Sequence, residues 1–234
     1  MKFLCISDIH GNVEVLDKLD KVFKDVNAVL FAGDFAECFK TETSKPVLDA
    51  LLKKHDEIYA VLGNCDEPGF IEELEDAGIN AERILNYTEG FAVIGSGGGS
   101  KFRGKTPNER SLEELMSDFA ILDSVESEEG RASAPSENWR NLIVVSHNPP
   151  KAEKVDSFAP GMHAGSELFT AFIQEKKPLA VLTGHIHEGT GIETIGETLV
   201  INPGSLGEKG TYAVLNVEKA ADGYKASAEI LSVE

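Results

Sequence analysis

Short apolar runs alternate along the chain with stretches of helical periodicity, the pattern of an α/β protein. Residues 3–7 read as a first strand. Residues 13–26 follow as a helix with Val15, Leu16, Leu19, Val22 and Phe23 along one face. A strand, a helix and a strand come next at 28–32, 46–54 and 58–62. A helix over 68–77 then opens on Pro68 and stops at Gly78. Residues 91–95 predict another strand running into the glycine-rich 96–100, and 111–122 predict a helix. Strands at 142–146 and 179–183 enclose a helix over 167–175, capped by Ser166. From Gly191 onward strand follows strand, at 192–195, 198–201, 211–217 and 224–231. The sum is a two-sheet sandwich with helices outside, α/β in front and β-rich at the back. Residues 124–138 lose the periodicity and fill with Ser, Glu, Ala and Pro. They read as an exposed loop within one domain over 1–234, because the motifs below lie on both sides of them.

Charge narrows the partners. The 234 residues carry 40 Asp+Glu against 22 Lys+Arg, a formal net charge of −18. Lys and Arg cluster no further than pairs such as Lys53-Lys54 and Lys176-Lys177. Non-specific nucleic-acid binding, which needs a basic stripe, is therefore disfavoured. The longest uncharged stretch is residues 90–100, far short of the roughly 20 apolar residues of a membrane span. Residues 1–7 run straight into Asp8 with no secretory cleavage pattern. Three cysteines without pairable spacing point to a reducing compartment. The expectation is a soluble cytoplasmic protein.

Metal-ligating side chains follow apolar runs in five places: Asp8-Ile9-His10, Gly33-Asp34, Gly63-Asn64, Ser146-His147 and Gly184-His185-Ile186-His187. Ligands of α/β sheets collect at the carboxyl ends of strands. D-x-H and H-x-H put both side chains on one side of an extended chain. The glycines before Asp34, Asn64 and His185 permit tight turns and close approach to a bound anion. One such motif alone is an ordinary loop, but five in sequence point to a metal site. Carboxylate, imidazole and amide donors suit Mn²⁺, Fe or Zn²⁺.

The ordered set Asp8-x-His10, Gly33-Asp34, Gly63-Asn64-Cys65-Asp66, His147 and Gly184-His185-x-His187 resembles the calcineurin-like metallophosphoesterase family, over residues 8–187. The resemblance implies a four-layer α/β/β/α sandwich of two mixed β-sheets flanked by helices. It implies two divalent metal ions between the sheets, Mn first, with Fe, Zn, Co or Ni as options. Asp8, His10, Asp34 and His187 would hold one ion. Asp34 would bridge to a second ion held by Asn64, His147 and His185. Such a pair can share a hydroxide and clamp both oxygens of an in-line displacement. Asp34 between two cations stays ionised, and Asn64 as a neutral ligand leaves the site positive enough for phosphate. The Asn64 amide could also donate to substrate.

Departures from the family pattern refine the expectation. Cys65 stands where the family often has His, as in a subgroup resembling small bacterial and archaeal phosphodiesterases. It reads as a small buried hydrophobe beside the metals rather than a nucleophile. No arginine follows Asp34 closely, unlike the protein serine/threonine phosphatases. Asp66 is expected to orient His10 or another metal ligand, or to cap the helix at Pro68. Asn12 reaches either a phosphate or its own turn. His163, in a glycine-flanked loop, is the candidate to protonate a leaving group, against the plainer reading of a solvent-exposed loop histidine. The expected function is a metal-dependent phosphoesterase, a phosphodiesterase on a small nucleotide-like phosphoester. The alternative is a metal-binding protein-interaction scaffold of the same fold, as in a retromer subunit that has lost ligands retained here. No membrane partner is expected, and the chain leaves room for a homo-oligomer.

Overall fold

The computed structural model describes residues 1–102, 104–127, 139–220 and 223–233. Lys2–Ile6 is the middle strand of a five-stranded sheet ordered Gly223–Ser232, Thr211–Ala220, Lys2–Ile6, Ala28–Phe31, Ile58–Ala60. Its neighbour Ala28–Phe31 runs parallel, while Thr211–Ala220 runs antiparallel. A second, six-stranded sheet runs Gly191–Ile195, Thr198–Asn202, Ala180–Thr183, Leu142–Ser146, Phe91–Ser96, Asn86–Thr88. Its four inner strands are parallel and both edges antiparallel.

The layers follow from alternation within apolar runs. Parallel strands buried on both faces need no polar positions, which is why they read as continuous hydrophobic segments. Phe3 and Cys5 face the space between the sheets, with Leu30, Val61, Ile143, Val145 and Leu182. Leu4 and Ile6 face the other way, onto Leu16, Phe23, Leu48 and Leu51 of the outer helices and onto Leu19 between two of them. On the second sheet Val144 and Val181 face outward, onto Phe119, Phe169 and Ile173. Three apolar seams give four layers, the α/β/β/α sandwich of two mixed sheets.

Two of the expected helices are continuous, as Ser44–Lys54 and Glu167–Lys176, and three are broken into shorter pieces. The 13–26 stretch is two pieces, Glu14–Asp17 and Asp20–Phe23, divided where Leu19 takes φ −97° and ψ 7°. Its apolar face survives the break, so the pattern records burial rather than continuity. The 68–77 stretch opens as a 3₁₀ turn at Pro68–Phe70 and continues as Ile71–Asp76, with Gly78 at φ +71° beyond its end. The 111–122 stretch is Leu112–Ser117, opened by a Ser111/Glu114 capping box, and Ile121–Ser127. That second helix carries 124–127 of the expected loop, and 128–138 lie outside the described residues. Among the described residues no helix is long and apolar enough to cross a membrane.

The cysteine reading is corrected. Cys38 and Cys65, 27 residues apart, form a disulfide with Cα atoms 4.5 Å apart, and buried Cys5 is left free. Sequence spacing misled because the pairing is topological. The two cysteines follow adjacent parallel strands, Ala28–Phe31 and Ile58–Ala60, whose exits lie side by side. This removes the cysteine-based ground for a reducing compartment.

Candidate metal centre

Five parallel strands, three from one sheet and two from the other, end at a common edge. Lys2–Ile6 delivers Asp8 and His10, Ala28–Phe31 delivers Asp34, and Ile58–Ala60 delivers Asn64. Leu142–Ser146 delivers His147, and Ala180–Thr183 delivers His185 and His187. Four of these residues sit in the left-handed region: Asp8 (φ 57°), His10 (φ 49°), Asp34 (φ 61°) and His185 (φ 67°). Each costs roughly 1 kcal/mol or more and persists only where its surroundings over-determine it. Here the surroundings are backbone bonds between loops. Asp8 N–H donates to Gly33 O at 2.9 Å, and Ile9 and His10 N–H both donate to Asp34 O at 3.0 and 3.1 Å.

The glycines serve this crossing of loops. A Cβ on Gly63 would lie 1.9 Å from Asp34 Oδ1, and one on Gly33 would lie 2.5 Å from Gly63 N. A Cβ on Gly184 would lie 1.9 Å from Ser7 Oγ. The close approach expected toward an anion is thus an approach of one ligand loop to the next.

Asp66 orients metal ligands through the backbone rather than through an imidazole. It does not cap the Pro68 turn, whose N-cap Glu67 makes no side-chain bond. Instead its buried carboxylate accepts four backbone N–H groups: Gly63 at 2.8 Å, Asp34 at 3.1 Å, Phe35 at 3.2 Å and Ala36 at 2.8 Å. It ties the loop of Asn64 to the loop of Asp34.

Three imidazoles have their tautomers set from behind. His10 Nδ1 is 3.1 Å from Ala36 O, His147 Nδ1 is 2.7 Å from Ala32 O, and His187 Nδ1 is 3.0 Å from Glu208 Oε2. Those oxygens only accept, so each Nδ1 carries a hydrogen and each ring, once neutral, aims an Nε2 lone pair forward. The lone pairs converge on other acceptors. His10 Nε2 is 3.7 Å from both Asp8 Oδ1 and Asp34 Oδ2 and 3.3 Å from His187 Nε2. His187 Nε2 is 3.1 Å from Asp8 Oδ1. His147 Nε2 is 2.7 Å from Asn64 Oδ1 and 3.5 Å from Asp34 Oδ2. Buried acceptors facing one another require protons or cations between them. His185 packs its ring against His147, centroids 5.1 Å apart, and its backbone N–H donates to Asp8 Oδ2 at 3.2 Å.

Titration behaviour follows. Burial, then the charges of Asp8 and Asp66, push Asp34 well above the usual carboxylate range. Burial also opposes ionisation of Asp8, but the His187 hydrogen bond and the surrounding imidazoles outweigh it and hold Asp8 low. Burial, then the neighbouring His147, drops His185 from 6.5 to about 3. For His187 burial is outweighed by Asp8 and Glu208, which raise it from 6.5 to about 9. Two Asp/His groups could each hold an ion: Asp8 with His10 and His187, and Asp8 with Asp34 and His147. The donor set fits a divalent cation.

His163 stands apart from this cluster. It lies at the surface on a short hairpin, Ser157–Ala159 with Met162–His163, that packs beside the His187–Gly189 turn. Its Nδ1 is 2.9 Å from Oδ1 of Asp156, a fully buried carboxylate that also accepts Gly165 N–H at 3.1 Å. Asn12 donates to Gly207 O at 2.8 Å, a structural bond. Sequence reasoning missed Glu208; Ser205 belongs to Asn202-Pro203-Gly204-Ser205, which resembles a family loop near the site, and its hydroxyl donates to Asp8 O at 2.9 Å. The Ser205-x-x-Glu208 capping spacing was the available signal, and Ser205 does cap Leu206–Lys209.

Comparisons agree with this architecture. Residues 1–220 match the profile of the calcineurin-like phosphoesterase superfamily domain. An uncharacterized protein of Methanocaldococcus jannaschii is 31% identical over 209 residues, covering 87% of this chain and 88% of that one. A crystal structure from Thermus thermophilus superposes with TM-score 0.73 at 19% identity, over 100% of this chain and 99% of its own. A dimetal phosphatase from Danio rerio gives TM-score 0.55 at 12% identity, over 100% and 99%.

Asp66→Asn should lose about 2–4 kcal/mol in urea denaturation, because an amide group would face N–H donors that now bond to a carboxylate. It should also weaken Mn²⁺ binding measured by calorimetry; unchanged stability would refute the clamp. In chelator-treated protein the His187 proton is held more tightly in the fold than in the unfolded chain. Its contribution is therefore complete below pH 6.5 and lost as pH rises through about 9. Thermal melts should decline over that interval, less steeply in His187→Gln. Saturating Mn²⁺ should remove the decline, since a metal takes the deprotonated ring.

Proposed function

The chain belongs to the calcineurin-like phosphoesterase superfamily, a family of phosphoric ester hydrolases, and we propose that it is a phosphodiesterase of small nucleotide-like esters working through two divalent metal ions. The observation that carries this is the convergence of three Nδ1-tethered imidazoles, His10, His147 and His187, on the carboxylates of Asp8 and Asp34. Asp8, His10, Asp34 and His187 would hold one ion, and Asp34, Asn64, His147 and His185 would hold the other. Asp34 Oδ2 faces both His10 and His147, as a bridging ligand does. The oxygen and nitrogen donors suit Mn²⁺ first, with Fe, Zn, Co or Ni as alternatives. Residues 1–234 act as one domain in this reading, since the ligands come from both sheets.

Bound divalent cations supply Lewis acidity, offsetting phosphoryl charge and lowering the pKa of water. The protein's own groups do the rest. Glu208 holds His187 in the tautomer that leaves Nε2 available, and Ala32 O does the same for His147. Asn64 adds no charge, and its amide nitrogen is available to a phosphoryl oxygen. In a chain of net charge −18, the metal centre is the positive locus an anionic ester can seek. His163 protonates the departing oxygen: Asp156 fixes its Nδ1–H and leaves Nε2 as the acid-base nitrogen.

With Mn²⁺ and bis(p-nitrophenyl) phosphate, Asp34→Asn should lower kcat/KM by roughly 10³-fold or more. Near-normal turnover would refute the two-metal mechanism. His163→Ala should leave p-nitrophenyl esters almost untouched, because that anion departs unaided, and slow alkyl esters roughly 10²-fold. An equal small effect on both classes would assign the proton to water instead.

A further inference from the structure

Cys65 has two competing partners for one sulfur. It directly follows Asn64, and its backbone N–H donates to Asp34 Oδ1 at 2.7 Å. Its Sγ, a ring nitrogen of His10 and a carboxylate oxygen of Asp34 all lie within 4.8 Å of one another. Asn64 Nδ2 is 3.5 Å from the same sulfur. That is the spacing of three donors around one cation. Yet this sulfur is also the one bonded to Cys38. A disulfide sulfur carries no charge and ligates poorly, whereas a thiolate is a strong, soft ligand that favours Zn²⁺ over Mn²⁺.

We propose that the Cys38–Cys65 pair is a thiol–disulfide switch that sets the metal preference of the centre. Resting on the two-metal reading above, it has two states. When the disulfide is closed, the centre presents only oxygen and nitrogen donors and prefers Mn²⁺. When it is open, Cys65 thiolate joins His10 and Asp34, and the preference moves toward Zn²⁺.

The chemistry balances with a small-molecule disulfide as oxidant. Cys38, half-buried beside the exposed Phe39, attacks R–S–S–R as its thiolate and expels R–S⁻. Cys65 thiolate then displaces the second R–S⁻ from Cys38, so two protein thiols become one disulfide and two equivalents of R–SH carry off the electrons and protons. The reverse exchange with a dithiol reopens the pair. Opening does not scatter the ligands. The four amides gathered by Asp66 already hold the Asp34 and Asn64 loops together without the disulfide.

Co²⁺ reports directly on sulfur ligation. Wild-type protein would be oxidised with glutathione disulfide or reduced with a phosphine, then desalted anaerobically and loaded with Co²⁺, alongside Cys38→Ser and Cys65→Ser. Reduced wild type and Cys38→Ser should show a near-ultraviolet thiolate-to-Co²⁺ charge-transfer band. Oxidised wild type and Cys65→Ser should show only the visible ligand-field bands. In chelator competition, reduction should raise the Zn²⁺-to-Mn²⁺ affinity ratio of wild type by roughly tenfold or more and leave that of Cys38→Ser unchanged. Bound Co²⁺ with identical spectra in both redox states would overturn the switch and leave the metal centre standing, as would free thiols on both Cys38 and Cys65 by peptide mass spectrometry after glutathione disulfide treatment. Failure of every form to bind Co²⁺, Mn²⁺ or Zn²⁺ would overturn both readings.

Discussion

The carboxylate of Asp34 is the group around which the site is arranged. It is buried, its Oδ1 is occupied by the Cys65 N–H, and its Oδ2 looks at the lone pairs of two imidazoles. Burial and the charges of Asp8 and Asp66 make ionisation costly there, so the bare site is electrostatically incomplete. A cation reverses that sign. The left-handed residues, the glycine-to-carboxylate approaches and the Asp66 clamp all serve to keep these acceptors together despite their mutual repulsion. The sandwich supplies the rigid strand ends, and the repulsion supplies the affinity for metal.

Much of this was legible along the chain. The layers could be read because parallel strands buried on both faces leave unbroken apolar runs. The metal-ligand candidates could be read because each stands where such a run stops. What escaped depends on which loops touch. Asp66 acts through backbone amides, three of them some thirty positions away, which carry no side-chain signature. Cys38 and Cys65 are neighbours through strand order, not spacing. Glu208 lies on a one-turn helix too short for periodicity to reveal. Asp156, which holds His163, is buried beneath a hairpin whose strands are two and three residues long.

Charge is managed at two scales. On the surface, lysines pair locally with carboxylates, as Lys54 does with Asp17 and Asp20, and such exposed pairs contribute little to stability. At the centre, positive charge must come from outside the chain. An overall repulsion toward anions combined with one strongly attractive point favours ligands able to reach that point over those that merely stick to a surface.

The place of the first strand has a consequence for how the site comes together. Lys2–Ile6 is flanked by Ala28–Phe31 on one side and by Thr211–Ala220 on the other, where Lys2 is in register with Asn216. The strand that delivers Asp8 and His10 becomes an interior strand only when a segment far along the sequence has paired with it, and His147, His185 and His187 are supplied from the second sheet. Contacts of such high sequence separation carry the loop-closure cost of folding, so no local piece of the chain can form the cluster before the two sheets have met.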